Sequence, residues 1–160
     1  MDGHTMILCR DINGDAHLVM RSELVPRTSV YGIIEDHNGR TLLVHGQSQS
    51  NERWDLPGGG VDPGESVLEA LAREVKEEVD LDVTGEPQKI CEFVEYFYDL
   101  YSNTGWESTR HFYKVTADGT PRIGSNGEDI AETRYFSKPL SPAKIAPVAR
   151  KIVTMSENIK

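Results

Sequence analysis

The sequence predicts an α+β fold in which a mixed β-sheet is packed between helices. Strand-like stretches rich in β-branched and aromatic residues stand on both sides of one central amphipathic segment. That segment opens with a capping signature, and a second amphipathic segment closes the chain. With 160 residues the chain has the length of one domain that buries a real core. The expected layout is a single domain over 1–160, with an N-terminal hairpin over 1–27, a core over 28–140 and a closing helix over 141–160.

Each element has its own signal. Asn13-Gly14 lies between the short apolar stretches Met6 to Ile12 and Ala16 to Met20, so two paired strands are expected there. Ser29 to Glu35 and Thr41 to His45 flank His37-Asn38-Gly39-Arg40 in the same manner and predict a second hairpin. Gln47 to Arg53 is polar throughout and reads as an exposed loop. Trp54 to Leu56 runs into Pro57-Gly58-Gly59-Gly60, where a strand is expected to stop and the backbone is free to take positive φ.

Ser66-Val67-Leu68-Glu69 fits a capping box, and the helix it starts is expected to reach about Val79. Leu68, Leu71, Ala72, Val75 and Val79 recur at helical spacing and predict its buried stripe. Ile90 to Tyr101 and Arg110 to Thr116, joined through Ser102-Asn103-Thr104-Gly105, predict a long antiparallel pair. Arg134 to Phe136 predicts one more short strand. Ser141 to about Ser156 predicts a closing helix with Ile145, Val148, Ile152 and Val153 on its apolar side.

Composition narrows the function. Lys and Arg number 17 against 26 Asp and Glu, a net charge of −9 that repels a phosphate backbone, so no nucleic acid polymer is expected as a partner. No apolar run approaches the roughly 18 residues of a membrane helix. Met1 to Asp11 also lacks the charged-then-apolar layout of a signal peptide. A cytoplasmic protein with no membrane partner is the expectation, with a homodimer left open. Cys9 and Cys91 form no C-x-x-C and are expected as buried thiols.

The chemistry concentrates on the central helix. At about 100° per residue, Glu74, Glu77 and Glu78 fall within an arc of roughly 100°, adjacent to but off the Leu68/Leu71/Val75 stripe. Glu74 and Glu78 form an i,i+4 like-charge pair costing about 0.2 to 0.5 kcal/mol, near a helix end where the macrodipole also disfavours anions. A hard divalent cation would relieve that repulsion, and carboxylate oxygens are the ligands Mg²⁺ or Mn²⁺ accepts. Glu-rich solvent faces are also common, and Lys76 and Arg73 could simply neutralise these. Gly58-Gly59-Gly60 and Glu65, just ahead of the helix, tilt the balance because glycines let backbone groups approach a ligand closely.

Taken together, Gly59-x5-Glu65-x7-Arg73-Glu74-Val75-x-Glu77-Glu78-x-Asp80-Leu81 resembles the signature box of the Nudix hydrolase family at every position except one. Gly59, Glu65, Arg73, Glu74, Glu77 and Glu78 would coincide by chance on the order of 10⁻⁷ per start position. Trp54-Asp55-Leu56-Pro57-Gly58-Gly59 is similar to the family's lead-in. The departure is Asp80, where the family usually has a glycine that supplies a left-handed residue at the helix end. Asp tolerates that conformation better than most residues, so a stability cost is expected and not loss of the site.

The resemblance implies a Nudix-type α/β/α sandwich. It also implies Mg²⁺- or Mn²⁺-dependent hydrolysis of a phosphoanhydride in a nucleoside diphosphate linked to another moiety, or in a nucleoside triphosphate, a small-molecule substrate. By carry-over, Glu74 and Glu78 are the expected principal metal ligands, with Glu77 and the carbonyl of Gly58 completing the site. Arg73 would orient Glu74 or Glu65. The base is expected to be a box glutamate such as Glu77 or Glu74, or an acid of a later loop, where Glu128, Asp129 and Glu132 precede Tyr135-Phe136.

Substrate contacts are expected from Arg53, His45, Arg110 or His111. Trp54, Tyr96, Tyr98 or Trp106 could stack on a base. The competing readings are a nucleotide-sensing module of the same fold without turnover, and an isomerase branch that neither cysteine supports.

Overall fold

The computed structural model of the chain describes residues 4–11, 13–46, 53–124 and 130–159. In chain order the elements are β1 (Met6–Arg10), β2 (Ala16–Met20), a short 3₁₀ turn (Arg21–Glu23), β3 (Val25–Ile34), β4 (Thr41–Gly46), β5 (Trp54–Asp55) and β6 (Gly58–Gly60). Then follow α1 (Val67–Val79), β7 (Asp82–Asp99), β8 (Thr104–Asp118), β9 (Ile130–Phe136) and α2 (Pro147–Ser156). The strands form two sheets. One is mixed, in the order β2-β1-β7-β8-β3-β6, and the other is antiparallel, in the order β5-β4-β9.

Two apolar clusters sandwich the sheets between the helices. Leu71, Val75 and Val79 of α1 pack with Val30, Ile34, Leu42 and Val115. Ile152 and Val153 of α2 pack with Ile33, Leu43, Phe112 and Trp54. Alternate residues of β3 and β4 thus serve opposite layers, as the period of two along a strand requires. The α/β/α sandwich expected from the sequence is the fold observed.

The β1–β2 hairpin pairs Met6 with Met20 and Arg10 with Ala16 across Asn13-Gly14, as the turn signal predicts. The predicted second hairpin does not form. β3 and β4 meet only at the single bridge Glu35 to Thr41 and then enter different sheets. The reason is edge occupancy: β8 runs in parallel along β3 from Val25 to Ile34, and β6 takes the other edge at Ser29 to Tyr31. β4 instead pairs with β5 and β9. Most of the polar stretch expected as a loop, 47–52, lies outside the described residues.

The strand does stop ahead of the glycine run, with β5 ending at Asp55 and Gly58 at φ 154°, but Gly58–Gly60 then forms a strand of its own. A Cβ on Gly58 would sit 2.1 Å from the Val30 carbonyl oxygen, so only glycine lets this strand lie so close to β3. β7, β8 and β9 begin earlier than expected, at Asp82, Thr104 and Ile130. α2 begins at Pro147 and not at Ser141. Proline suits a first helical position, and the preceding residues are held elsewhere, with Trp54 N–H donating to the Lys144 carbonyl and Ala146 N–H to the Trp54 carbonyl. Cys9 is buried, whereas Cys91 is half-buried; both are free. Among the described residues no helix is long and apolar enough to cross a membrane.

Candidate functional site

The capping box fixes where α1 starts. Ser66 Oγ accepts from Glu69 N–H at 3.0 Å, and Glu69 Oε1 accepts from Ser66 N–H at 2.9 Å. The phase of every later side chain follows from that start. The buried residues are Ala70, Leu71, Val75 and Val79, while Leu68 is exposed and Ala72 faces solvent, contrary to the predicted stripe. With Leu71 at zero, Ala70 lies at about −100° and Val79 at about +80°, and Glu74 and Glu78 fall at about −60° and −20°. Both carboxylates are therefore inside the inward arc, not beside it. Their partners are the glycines of β6.

Gly58 N–H donates to Glu78 Oε1 at 2.9 Å. A Cβ on Gly59 would stand 2.6 Å from Glu74 Oε1. Arg73 gathers the rest: Nε and Nη2 form a fork on Glu65 at 2.7 and 2.9 Å, and Nη2 donates to the Gly60 carbonyl at 2.9 Å. Nη1 reaches Glu74 at 3.0 Å and Glu77 at 3.2 Å. The guanidinium is thus saturated by protein oxygens, and it meets both residues it was expected to orient.

Electrostatics separates the carboxylates. Arg73 foremost, helped by the Asp62 N–H, holds Glu65 down at about 2. Burial pushes Glu78 up to about 8, against the Gly58 hydrogen bond and reinforced by Glu74, Asp55 and Glu77. Burial also raises Glu74, although Arg73 opposes it. Asp55 is raised by burial as well, with its Oδ1 accepting from Leu56 N–H at 2.8 Å. A cavity of about 450 Å³ is lined by Arg27, Tyr31, Asp55, Gly59, Glu74 and Glu78 among others, with Gly58 at its wall.

Glu77 points to Arg73 and does not line this cavity. Among the described residues no three His, Cys, Asp or Glu side chains stand close enough to hold a cation as placed. Arg73 accounts for this by drawing Glu74 and Glu77 toward itself. The donor set nonetheless fits a hard divalent ion: two carboxylates that burial drives toward the neutral form, beside a glycine cradle that a Cβ would fill.

The other candidates divide. Arg110 and Trp106 line a cleft of about 190 Å³ with Arg27, Tyr31 and Glu95. Trp54 is a correction: it is buried in the α2 layer, its ring 4.8 Å from Phe136 and 5.3 Å from His45, so it presents no free face. His45 packs on it and lines neither cavity. Tyr98 is a second correction, because it stacks on His17 at 4.0 Å, far along β7. Tyr96 pairs opposite Glu107 and is absent from both cavity walls.

The His111 Nδ1 is buried with no hydrogen-bond partner among the described residues, on the strand position after Arg110 and so on the opposite face. Arg53 precedes β5 and lines neither cavity. Glu132 is exposed on β9, 3.8 Å from Arg134. Glu128 and Asp129 lie outside the described residues.

Asp55, Arg27, Tyr31 and Glu95 escaped the sequence reading. Asp55 had a signal, as a single acid between Trp54 and Leu56 in an otherwise apolar strand. Arg27 and Tyr31 share a face by even spacing, but nothing local says that β6 and β8 flank them.

Asp80 occupies the αL position expected of it, at φ 57° and ψ 38°. Its carboxylate is bonded to Arg122 at 2.5 Å and Lys76 at 3.2 Å, which hold it below the usual carboxylate range. Arg122 N–H also caps the Val79 carbonyl at 3.0 Å.

Comparison with known proteins bears on the family and the fold. The NUDIX domain model matches residues 25–155. An RNA pyrophosphohydrolase of Campylobacter jejuni is 40% identical over 62 residues, covering 38% of this chain and 38% of the relative. An ADP-ribose pyrophosphatase of Methanocaldococcus jannaschii is 43% identical over 61 residues, covering 38% and 36%. The chain thus spans well under two thirds of the length of these relatives. The crystal structure of a MutT NUDIX hydrolase from Burkholderia pseudomallei superposes with TM-score 0.66 at 24% identity, over 82% of this chain and 98% of that one, a likeness of fold. With the family match running from β3 into α2 and the same fold in that structure, the chain belongs to the Nudix family.

Proposed function

We propose that this protein is a metal-dependent hydrolase of a phosphoanhydride bond in a small nucleotide, either a nucleoside diphosphate linked to another moiety or a nucleoside triphosphate. One observation carries the reading. Glu74 and Glu78 lie in the inward arc of α1 and meet the glycine strand and Asp55 in a single cavity.

In this reading Glu74 and Glu78, with the Gly58 backbone and Glu77, would hold Mg²⁺ or Mn²⁺. The ion, when bound, supplies charge neutralisation for phosphoryl oxygens and a more acidic water. The chain's own residues do the rest. Arg73 forks on Glu65, donates to the Gly60 carbonyl and reaches Glu74, so it holds β6 against α1 beside the candidate ligands. Asp55, in its buried position, holds a proton more tightly than an exposed carboxyl and can release it to the cavity. Glu77, Glu128 and Asp129 remain the candidate bases, with Glu77 the one within the described clamp.

The relatives' names span RNA and ADP-ribose. The test is therefore a panel of ADP-ribose, nucleotide sugars, dinucleoside polyphosphates, nucleoside triphosphates, NADH and a 5′-triphosphorylated RNA, each with Mg²⁺ and with chelator. Metal-dependent release of phosphate or nucleotide from one small substrate supports the reading. Binding without turnover across the panel would favour a sensing module instead.

A further inference from the structure

Three cavities meet at one side chain. Arg27 of β3 lines the carboxylate cavity with Glu74 and Glu78, the aromatic cleft with Tyr31, Trp106 and Arg110, and a third hollow beside Asp62 and Glu65. The neighbouring cations are already paired. Arg73 is saturated by Glu65, Glu74, Glu77 and Gly60. Arg110 reaches Glu95 at 3.4 Å and lies 4.8 Å over the Tyr31 ring, with little of its side chain exposed.

The Arg27 guanidinium makes no hydrogen bond or ion pair with any described residue and stands in solvent. In a chain of net charge −9, a cation left unspent at the mouth of an acidic cavity is available to an anion arriving from outside. A second observation points the same way. Arg110, which lines the same cleft as Arg27, has a buried Nε with no hydrogen-bond partner among the described residues. The cleft places this guanidinium among aromatic walls suited to a planar group.

We propose that Arg27 is a specificity-determining residue that binds the phosphate of the substrate that is not attacked. It would thereby select molecules whose phosphate chain continues from the carboxylate cavity toward a planar group in the Tyr31–Trp106 cleft. This rests on the hydrolase reading above. Even spacing puts Arg27 and Tyr31 on one face of β3, and the register sets Arg27 opposite Ser108 and Ser29 opposite Arg110 on β8. One extended ligand can thus touch both arginines.

The experiment compares the full chain with Arg27→Ala, Arg27→Lys and Arg27→Glu. Calorimetry measures ADP binding, and steady-state kinetics are run on whichever substrate of the panel the wild type cleaves. Arg27→Ala removes a charge-assisted hydrogen-bond donor, so it should weaken ADP binding and raise KM by about tenfold or more, with kcat changed less than about threefold. Arg27→Lys should restore part of the affinity, Arg27→Glu should be worse than Arg27→Ala, and the salt dependence of KM should flatten in Arg27→Ala.

Equal ADP affinity in wild type and Arg27→Ala overturns the proposal, as does a wild type that does not bind ADP. Failure of the hydrolase reading has a different signature. In that case the wild type binds ADP but cleaves nothing in the panel, and weaker binding in Arg27→Ala still supports the role of Arg27.

Discussion

Gly58 donates its backbone N–H to Glu78 Oε1 at 2.9 Å, tying the glycine strand to the last turn of α1. The bond holds a candidate metal ligand in place, while burial, which the bond only partly offsets, raises its proton affinity. Glu78→Gln should keep the fold and cut turnover by about 10² or more, since it removes a ligand charge and leaves the apolar core intact. Unchanged kcat in a folded variant would remove Glu78 from the site.

The raised Glu78 carboxyl has a signature in stability. Its ordinary value is 4.5 and its folded value is about 8. The folded state therefore holds a proton that the unfolded chain has released, so the stabilisation is whole below about pH 4.5 and disappears as pH rises through about 8. Thermal melts of the metal-free protein should fall across that window, and Glu78→Gln should fall less. Parallel pH profiles for the two would contradict the burial of this group.

Gly58 and Gly59 should respond differently to alanine. A Cβ on Gly58 meets the backbone of Val30 and Tyr31, so Gly58→Ala should destabilise by about 1 to 3 kcal/mol, read as a lower denaturant midpoint. The three atoms nearest a Cβ on Gly59 all belong to the Glu74 carboxylate, the free end of a side chain. Gly59→Ala should leave the midpoint nearly unchanged while lowering kcat.

Arg73→Lys tests the clamp, because an ammonium cannot form the two-pronged bond to Glu65 and still reach Glu74 and the Gly60 carbonyl. Activity should fall by about tenfold or more. A variant with wild-type kcat would show that the fork is dispensable.

The helix cap separates conformation from charge. Asp80→Gly keeps the αL conformation and loses the Arg122 and Lys76 pairs, which are partly exposed, so its stability should stay within about 0.5 kcal/mol of wild type. Asp80→Ala should cost about 1 kcal/mol or more, because alanine meets the αL strain with nothing in return. Denaturant titration of both variants distinguishes the two causes.

Local physics made much of this legible in the sequence. Ser66 and Glu69 cap a helix through bonds three residues apart, Asn13-Gly14 turns a hairpin within its own span, and Asp80 accepts αL by its own short side chain. Box spacing alone brought Arg73 onto Glu65, because a helix turn after a short loop leaves little freedom. The spacing also identified the family.

What the tertiary structure decided depends on partners distant in the chain. β3 and β4 were separated because β8 and β6 had already taken the edges of β3. Trp54 and Tyr98 were withdrawn from the site by Phe136 and His17, residues no local pattern links to them. Glu74 and Glu78 were turned inward by the layer that α1 covers, and Arg27 was left without a partner among the described residues where three cavities meet. A strand has two edges and a helix one buried arc, and which neighbours fill them is settled by the competition of the whole chain for burial and hydrogen bonds, not by any single segment.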